Sequence, residues 1–366
     1  SYFNQLTYAI KEHRRITGEI APISSALLAP HLADLEKAIE PGLTHLTWTS
    51  MNIEVYLKRI HLKLSTMEEL VQKTNDMLQN RIDANLKQAS RVVMVSLPSD
   101  QSVTLEEFTE MQTKIVRKNG HVLVVRSDEV CRACDELVAM IENYPRDNSR
   151  EMCVDPVAVA RFKAHFARLM YSAVLQATRK TFAALKRRLG SRTSGGFLFV
   201  ERPLFDVNVE LAVPYVVLNP PLEDVQRAVN TVAKKVLKIS MDIKRWGNTD
   251  LNGDEEDIPG VDYDNIGTAS FFDEIASDIE IVKLVLLLTG SIEGAKKEVN
   301  NYVQTYDKYD FLYLKNLQQE YRDFVSKKPS LDAFELELKK YMQIEQEVLK
   351  FPPVHNIGAL SLETQP

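Results

Sequence analysis

Ile53-Glu-Val-Tyr-Leu57-Lys-Arg-Ile60-His-Leu-Lys-Leu64-Ser-Thr-Met67-Glu-Glu-Leu-Val71-Gln-Lys-Thr74-Asn-Asp-Met-Leu78 is the stretch that decides the fold class. Its apolar residues Ile53, Leu57, Ile60, Leu64, Met67, Val71 and Leu78 recur in alternating steps of four and three, with Thr74 in a polar slot. A repeat of about 3.5 residues lets one helix lie along another at a shallow angle. The pattern predicts a single helix from about Thr49 to Ser90. At a rise of 1.5 Å per residue, roughly 40 residues span about 60 Å, longer than a compact domain needs. The expectation is a buried bundle helix. The alternative is an intermolecular coiled coil, weakened where the spacing drifts to fours at Ile82 and Leu86.

Other helices are marked by their ends. Thr104-Leu-Glu-Glu107 is a capping box, in which hydroxyl and carboxylate each satisfy an orphan amide. Asp155-Pro156 sets an N-cap before a proline at the first helical position, and Asn219-Pro220 repeats the pair. The helix after Pro156 is expected to bury Phe162, Phe166 and Leu169, and to end in the cationic turn Lys186-Arg-Arg188 before Gly190. Further helices are predicted over Leu222–Trp246, Phe271–Thr289, Ser291–Tyr306, Phe311–Lys327 and Leu331–Lys350.

Four stretches break the helical period. Phe205-Asp-Val-Asn-Val-Glu-Leu211 alternates apolar and polar residues, as a strand with one buried face does. Pro214 and Pro220 bracket a second extended piece, Tyr215–Leu218, and His355–Leu362 reads as a third strand. Asn248–Asn265 is acidic and aperiodic, a surface loop. The fold class is therefore all-α: an elongated series of antiparallel helical bundles with a small β element near 205–218. The expected division is a bundle over 1–98, a second over 99–195, a β-containing junction over 196–220, and a third bundle over 221–366. That last bundle carries the acidic loop and enters a next domain at 354–366.

Composition narrows the function classes. The chain has 366 residues, 45% of them hydrophobic and 26% charged, as in soluble globular proteins long enough for more than one core. A net charge of -6 argues against a phosphate-backbone binder, so no nucleic-acid partner is expected. The most apolar run, Ile281–Thr289, is too short to span a membrane and is broken by Lys283. Three cysteines, Cys131, Cys134 and Cys153, leave one unpaired, which fits a reducing interior better than a secreted scaffold. The first residue is Ser1 and no leader pattern follows it, so a fragment of something longer is expected.

The motifs of catalysis fail on inspection. Gly190-Ser-Arg-Thr-Ser-Gly195 has the glycine spacing of a phosphate loop, but Gly196 stands where the lysine must be. In Gly290-Ser-Ile-Glu-Gly294 the glycines are one residue too close. Asp250-Leu-Asn252-Gly-Asp254 starts like a calcium loop, then places Glu255 where glycine is required and Val261 where a glutamate is. Cys131-Arg-Ala-Cys134 lacks the further ligands zinc needs and sits in a helical pattern. A redox role would need a strand before it, for which Val122–Val125 is the candidate, but buried helical cysteines are the simpler reading. The histidines are scattered, and no GxSxG elbow occurs. No catalytic residue, cofactor or metal is expected.

One binding-type feature remains. The stretch Leu175–Arg188 is basic and amphipathic, like the target helix of a calcium sensor. Its candidate partner-binding residues are Arg179, Lys180, Phe182, Lys186, Arg187 and Arg188. An ordinary bundle helix with a basic end is the competing reading.

Longer motifs carry a resemblance. Trp48-Thr-Ser-Met-Asn-Ile-Glu-Val-Tyr-Leu57, preceded by Pro41-Gly42-Leu43, resembles a recurring segment of axonemal dynein heavy-chain tails. So do Phe197-Leu-Phe-Val-Glu-Arg-Pro-Leu-Phe-Asp206 and Leu222-Glu-Asp-Val-Gln-Arg-Ala228. Thr289-Gly-Ser-Ile-Glu-Gly-Ala-Lys-Lys-Glu-Val299 and His355-Asn-Ile-Gly-Ala-Leu-Ser-Leu-Glu-Thr-Gln365 extend the likeness, which covers residues from about 23 to 366. The resemblance, nearest the outer-arm kind, implies a stem segment preceding the linker and the ring of ATPase modules. It also implies helical bundles that dock other dynein heavy chains, WD-repeat intermediate chains and light chains in the axoneme of a cilium or flagellum. Calcium-sensor docking at 175–188 is the alternative function.

Overall fold

The seam from Leu57 to Leu78 is a buried face of one long helical run. In the computed structural model, which describes residues 2–44, 52–145, 154–189, 202–246 and 270–364, Leu57, Ile60, Leu64, Met67, Val71 and Leu78 are all buried, and so is Thr74. The drift to fours has a physical counterpart. Residues Met77–Asp83 form a π-helical stretch, whose wider turn keeps Ile82 and Leu86 on the buried side. The partners of the seam lie in the same chain.

In chain order the helices up to the sheet are α1 (Tyr2–Gly18), α2 (Ser25–Thr44), α3 (Ile53–Asp76), α4 (Ala84–Ala89), α5 (Leu105–Glu142) and α6 (Pro156–Leu189). A hairpin of β1 (Phe205–Ala212) and β2 (Tyr215–Asn219) follows, then α7 (Leu222–Lys238), α8 (Phe272–Ser277) and α9 (Ile279–Gln304). The chain continues through α10 (Phe311–Leu314), α11 (Leu317–Ser326) and α12 (Leu331–Val348) to β3 (Val354–Ile357) and β4 (Leu360–Thr364). The fold is mostly helical with one small four-stranded sheet. Among the described residues no helix is long and apolar enough to cross a membrane. The Trp48 motif, Cys153, the Gly190–Gly196 near-miss, the Phe197 motif and the acidic loop at 248–265 lie wholly or partly outside the described residues.

The chain divides into two units, each assembled from three stretches. The first holds residues 1–92, 120–177 and 239–275. There α3 packs on α1 and α2. Lys63 donates to Asp34 at 2.6 Å in a mostly covered pair, and the Tyr56 hydroxyl accepts from Gly42 N–H at 2.8 Å and donates to Ile39 at 3.0 Å, tying off the end of α2. His31 reaches the Ile141 carbonyl at 2.7 Å. Arg81, in the π-helical stretch, donates to Glu129 at 2.7 Å and also pairs with Glu136. Arg126 donates to Asn85 at 2.8 Å.

The second unit holds 93–119, 178–238 and 276–366. Its sheet runs β2-β1-β4-β3, with β1 antiparallel to β2, parallel to β4, and β3 antiparallel to β4. The alternation along β1 has its physical meaning here: Phe205, Val207 and Val209 are buried while Asp206 is exposed. Phe108 of α5 meets Phe205 edge-on at 5.0 Å. The tail supplies two strands rather than one, because Gly358 adopts φ +57 between them, a conformation glycine tolerates without strain.

The caps mostly form as the sequence reading has them. Glu107 N–H donates to the Thr104 hydroxyl at 3.2 Å, Thr104 N–H donates to the Glu107 carboxylate at 3.1 Å, and Val157 N–H donates to Asp155 at 3.0 Å. Asn219 is not a cap. It ends β2, its amide donates to Glu210 at 3.0 Å, and the helix starts later, at Leu222. Leu169 is exposed while Phe162 and Phe166 are buried. Gly290 does not end a helix either. One glycine costs only about 1 kcal/mol in a helix, and the break falls at Asp278, whose carboxylate accepts from Glu280 and Ile281 N–H to begin α9. Asn316 breaks the predicted Phe311–Lys327 helix the same way by capping α11, and α7 stops at Lys238 instead of continuing to Trp246.

Candidate partner-binding surfaces

The basic end of α6 belongs to the second unit from Thr178 onward, and its sequence decides how its cations are used. Phe182 and Leu185 fall on the apolar stripe and are fully buried. Beside them the Thr181 hydroxyl accepts from Met94 N–H at 3.0 Å. Arg188 is 7% exposed and donates to two carbonyls, Pro98 at 2.9 Å and Arg202 at 2.6 Å, clamping two chain segments to the helix end. Arg179 pairs with Asp278 at 3.0 Å and with Glu280 at 2.9 Å, so the residue that caps α9 also anchors it to α6. Lys180 and Arg187 are exposed and Lys186 is half-buried. Of the six candidates, three carry internal structure and three line the rim. A partner gripping the whole of Leu175–Arg188 would have to draw Phe182 and Leu185 out of the core, which costs about 3–5 kcal/mol for a buried phenylalanine alone.

A groove of about 1060 Å³ lies in the same unit, between the first half of α5, β1 and α7. Its charged wall is mixed in sign, with Glu106, Glu110, Lys114 and Arg117 from α5 and Asp224 and Arg227 from α7. Lys235 donates to Thr113 at 2.6 Å. The groove is open to solvent.

The two described cysteines lie in the C-terminal third of α5, in the first unit. Val122–Val125 lies in the same helix, not in a strand, because nothing from the capping box to Glu142 interrupts the pattern. Burial, with Asp135 adding to it, pushes the Cys131 thiol up to about 11, and burial pushes Cys134 higher. Both are thiols at neutral pH, whereas nucleophiles and metal ligands are thiolates. Among the described residues no group of three or more His, Cys, Asp or Glu side chains is arranged to hold a metal.

What the sequence reading did not anticipate is how much apolar surface stays outside. Neither α11 nor α12 buries a single residue, and Ile279 and Leu286 on α9 are exposed as well.

Comparison with known proteins supplies the family. Residues 1–56 match the family described as "Dynein heavy chain, N-terminal region 1". The whole chain is 45% identical over 365 residues to the Chlamydomonas reinhardtii protein "Dynein gamma chain, flagellar outer arm", of which it covers 8%. It is 25% identical to mouse "Dynein axonemal heavy chain 5", with 99% of this chain and 10% of that protein aligned. With the Chlamydomonas protein "Dynein-1-alpha heavy chain, flagellar inner arm I1 complex" it is 21% identical, over 90% of this chain and 7% of that one. The chain thus spans about a tenth of the length of the relatives it matches. It belongs to the axonemal dynein heavy chains of cilia and flagella and is a segment of their N-terminal region.

Proposed function

We propose that this chain is a non-catalytic stem segment of a ciliary dynein motor, a scaffold on which a heavy chain assembles with its neighbours. The partners are other heavy chains, WD-repeat intermediate chains and light chains, and the segment links the motor to its axonemal anchor. The motor ATPase belongs to the rest of the heavy chain. The observation that carries the reading is the pairing of a family of flagellar-arm heavy chains with helices α11 and α12 that leave their apolar residues in solvent. The failed phosphate loops and the protonated cysteines support the non-catalytic half. Within the basic stretch, Lys180, Lys186 and Arg187 are the residues a light chain would reach without unfolding α6.

Two measurements test the reading. The purified chain should release no phosphate from ATP above a protein-free blank, and turnover that co-purifies with it refutes the assignment. In the assembled arm, cross-linking mass spectrometry should join lysines of α11 and α12 to other subunits. Cross-links confined to this chain would remove the scaffold role.

A further inference from the structure

Two Ser/Thr hydroxyls in this sequence have adjacent cations two and three positions before them: Thr17 after Arg14-Arg15, and Ser330 after Lys327-Lys328. A basic pair at that spacing is the charge pattern that the acidic substrate groove of a basophilic Ser/Thr kinase reads. Thr17 has the stronger sequence, since both of its cations are arginines, which pair with carboxylates in a fixed fork. The structure reverses that order.

Thr17 lies in the last turn of α1, half-buried, and its hydroxyl donates to the His13 carbonyl at 2.8 Å. Arg15 is already engaged by Glu12 at 2.7 Å, Glu19 at 2.8 Å and Glu68 at 2.5 Å, and Ile16 beside it is buried. A kinase groove takes its substrate segment extended. Presenting Thr17 that way would unwind the end of α1, release those ion pairs and draw Ile16 out of the core.

Ser330 meets none of these obstacles. It is exposed in the short connection between α11 and α12, and both lysines before it are exposed. Among the described residues neither lysine is held in an ion pair. Lys328 has φ +49, in the left-handed region, and Pro329 follows it, so the chain leaves helical geometry at the basic pair. Neither α11 nor α12 buries a residue, so opening the turn between them uncovers no core. The acceptor oxygen itself is held by a long bond, 3.3 Å from Ala333 N–H.

We propose that Ser330 is a regulatory phosphorylation site, its phosphoryl group transferred from ATP by a basophilic Ser/Thr kinase. The bond from Ser330 Oγ to the γ-phosphorus forms as the bond from that phosphorus to ADP breaks, and the hydroxyl proton passes to the kinase's catalytic aspartate. The product adds about −1.5 to −2 charge to a turn whose nearest charges are two lysines. It also stands at the start of the 18-residue helix α12, where unpaired amides and both lysines favour it and Asp332 opposes it. Phosphorylation therefore cancels the charge of the turn and tightens the start of α12 without moving any core residue. This regulation goes beyond the scaffold reading and is independent of which subunits the segment carries.

The test incubates the full 366-residue chain with Mg-ATP and the catalytic subunit of cyclic-AMP-dependent protein kinase as the basophilic probe, and maps phosphate by mass spectrometry. Phosphate should appear at Ser330 and not at Thr17. Lys327→Ala/Lys328→Ala should slow its incorporation about tenfold, with an unchanged circular dichroism spectrum because both side chains are exposed. Ser330→Ala should abolish it, whereas Ser330→Thr keeps both the hydroxyl and the cap and should retain it, which separates loss of the acceptor from loss of the helix end. Hydrogen exchange at the Asp332 and Ala333 amides should slow in the phosphorylated chain. Heavy chain isolated from axonemes under phosphatase inhibition should carry phosphate at the same residue. Modification of Thr17 with Ser330 untouched, a rate indifferent to the lysines, exchange that does not slow, or axonemal chain without phosphate at Ser330 would overturn the proposal. None of these readouts depends on subunit cross-links or on ATP turnover by the chain itself, so failure here is distinguishable from failure of the scaffold reading.

Discussion

Replacing Gly120 by alanine sets two well-calibrated effects against each other, and the geometry decides the sign. Gly120 lies inside α5, where the exchange ordinarily stabilises a helix by about 1 kcal/mol. A β-carbon at Gly120 would stand 2.4 Å from Ile239 Cδ1, 2.7 Å from Cγ1 and 3.0 Å from Cγ2, against an optimal carbon contact of about 3.5–4.0 Å. The obstacle is a whole branched side chain, not a flexible tip. Both γ carbons sit on one β carbon within reach, so rotation about χ1 exchanges one collision for the other. Overpacking of this kind costs about 1–3 kcal/mol, which outweighs the propensity gain and leaves a net loss of roughly 1 kcal/mol. The expected result for Gly120→Ala is a melting temperature lowered by about 2–4 °C. Ile239→Ala alone should cost stability through lost packing, while the double variant should recover most of the clash, giving a coupling of about 1–2 kcal/mol in the cycle. A Gly120→Ala chain that melts higher than the parent, or a cycle with no coupling, would refute the close approach of Ile239 to α5.

Three further outcomes follow from the site and its surroundings. Arg188→Met leaves the Pro98 and Arg202 carbonyls without their charged donor and should lower stability by about 2–4 kcal/mol in urea titration, whereas a change under about 0.5 kcal/mol would show that Arg188 clamps nothing. Thr104→Ala removes half of the capping box and should cost about 1 kcal/mol, with faster hydrogen exchange at the Glu107 amide; Thr104→Ser should restore both. Cys131 holds its proton to about 11, above the ordinary thiol value, so in the folded chain its stabilising contribution is complete below about pH 9 and falls as pH rises toward 11. In a Cys134→Ala/Cys153→Ala background its iodoacetamide reaction should therefore keep accelerating up to about pH 11, and a plateau already reached by pH 9 would contradict the burial of the thiol.

Features fixed by local chemistry were legible in the sequence. The α3 seam, the Thr104 capping box and the alternation of β1 each depend on residues within one or two turns of one another, and each forms as expected. Where local signals compete, the stronger one sets the structure. Gly290 punctuates the sequence but costs a 26-residue helix only one weak position, while Asp278 offers a carboxylate to two orphan amides. Asn219-Pro220 has the residues of a cap, yet the ladder of β2 claims Asn219 first. The basic run at the end of α6 looked like a binding feature because sequence shows charge without showing its partners. Arg188 and Arg179 are engaged by carbonyls and carboxylates from 14 to 99 residues away, separations no local pattern encodes.

The same limit applies to α12. Periodicity reports that a helix has an apolar face; it does not report what covers that face. In α3 the cover is supplied by α1 and α2, whereas in α12 no residue is buried, and its exposed apolar residues lie on more than one face, Leu338 and Met342 on one and Leu336 on another. The α3 series is interrupted only by Thr74, a small hydroxyl that fits inside a core, so that whole face can close against its own chain.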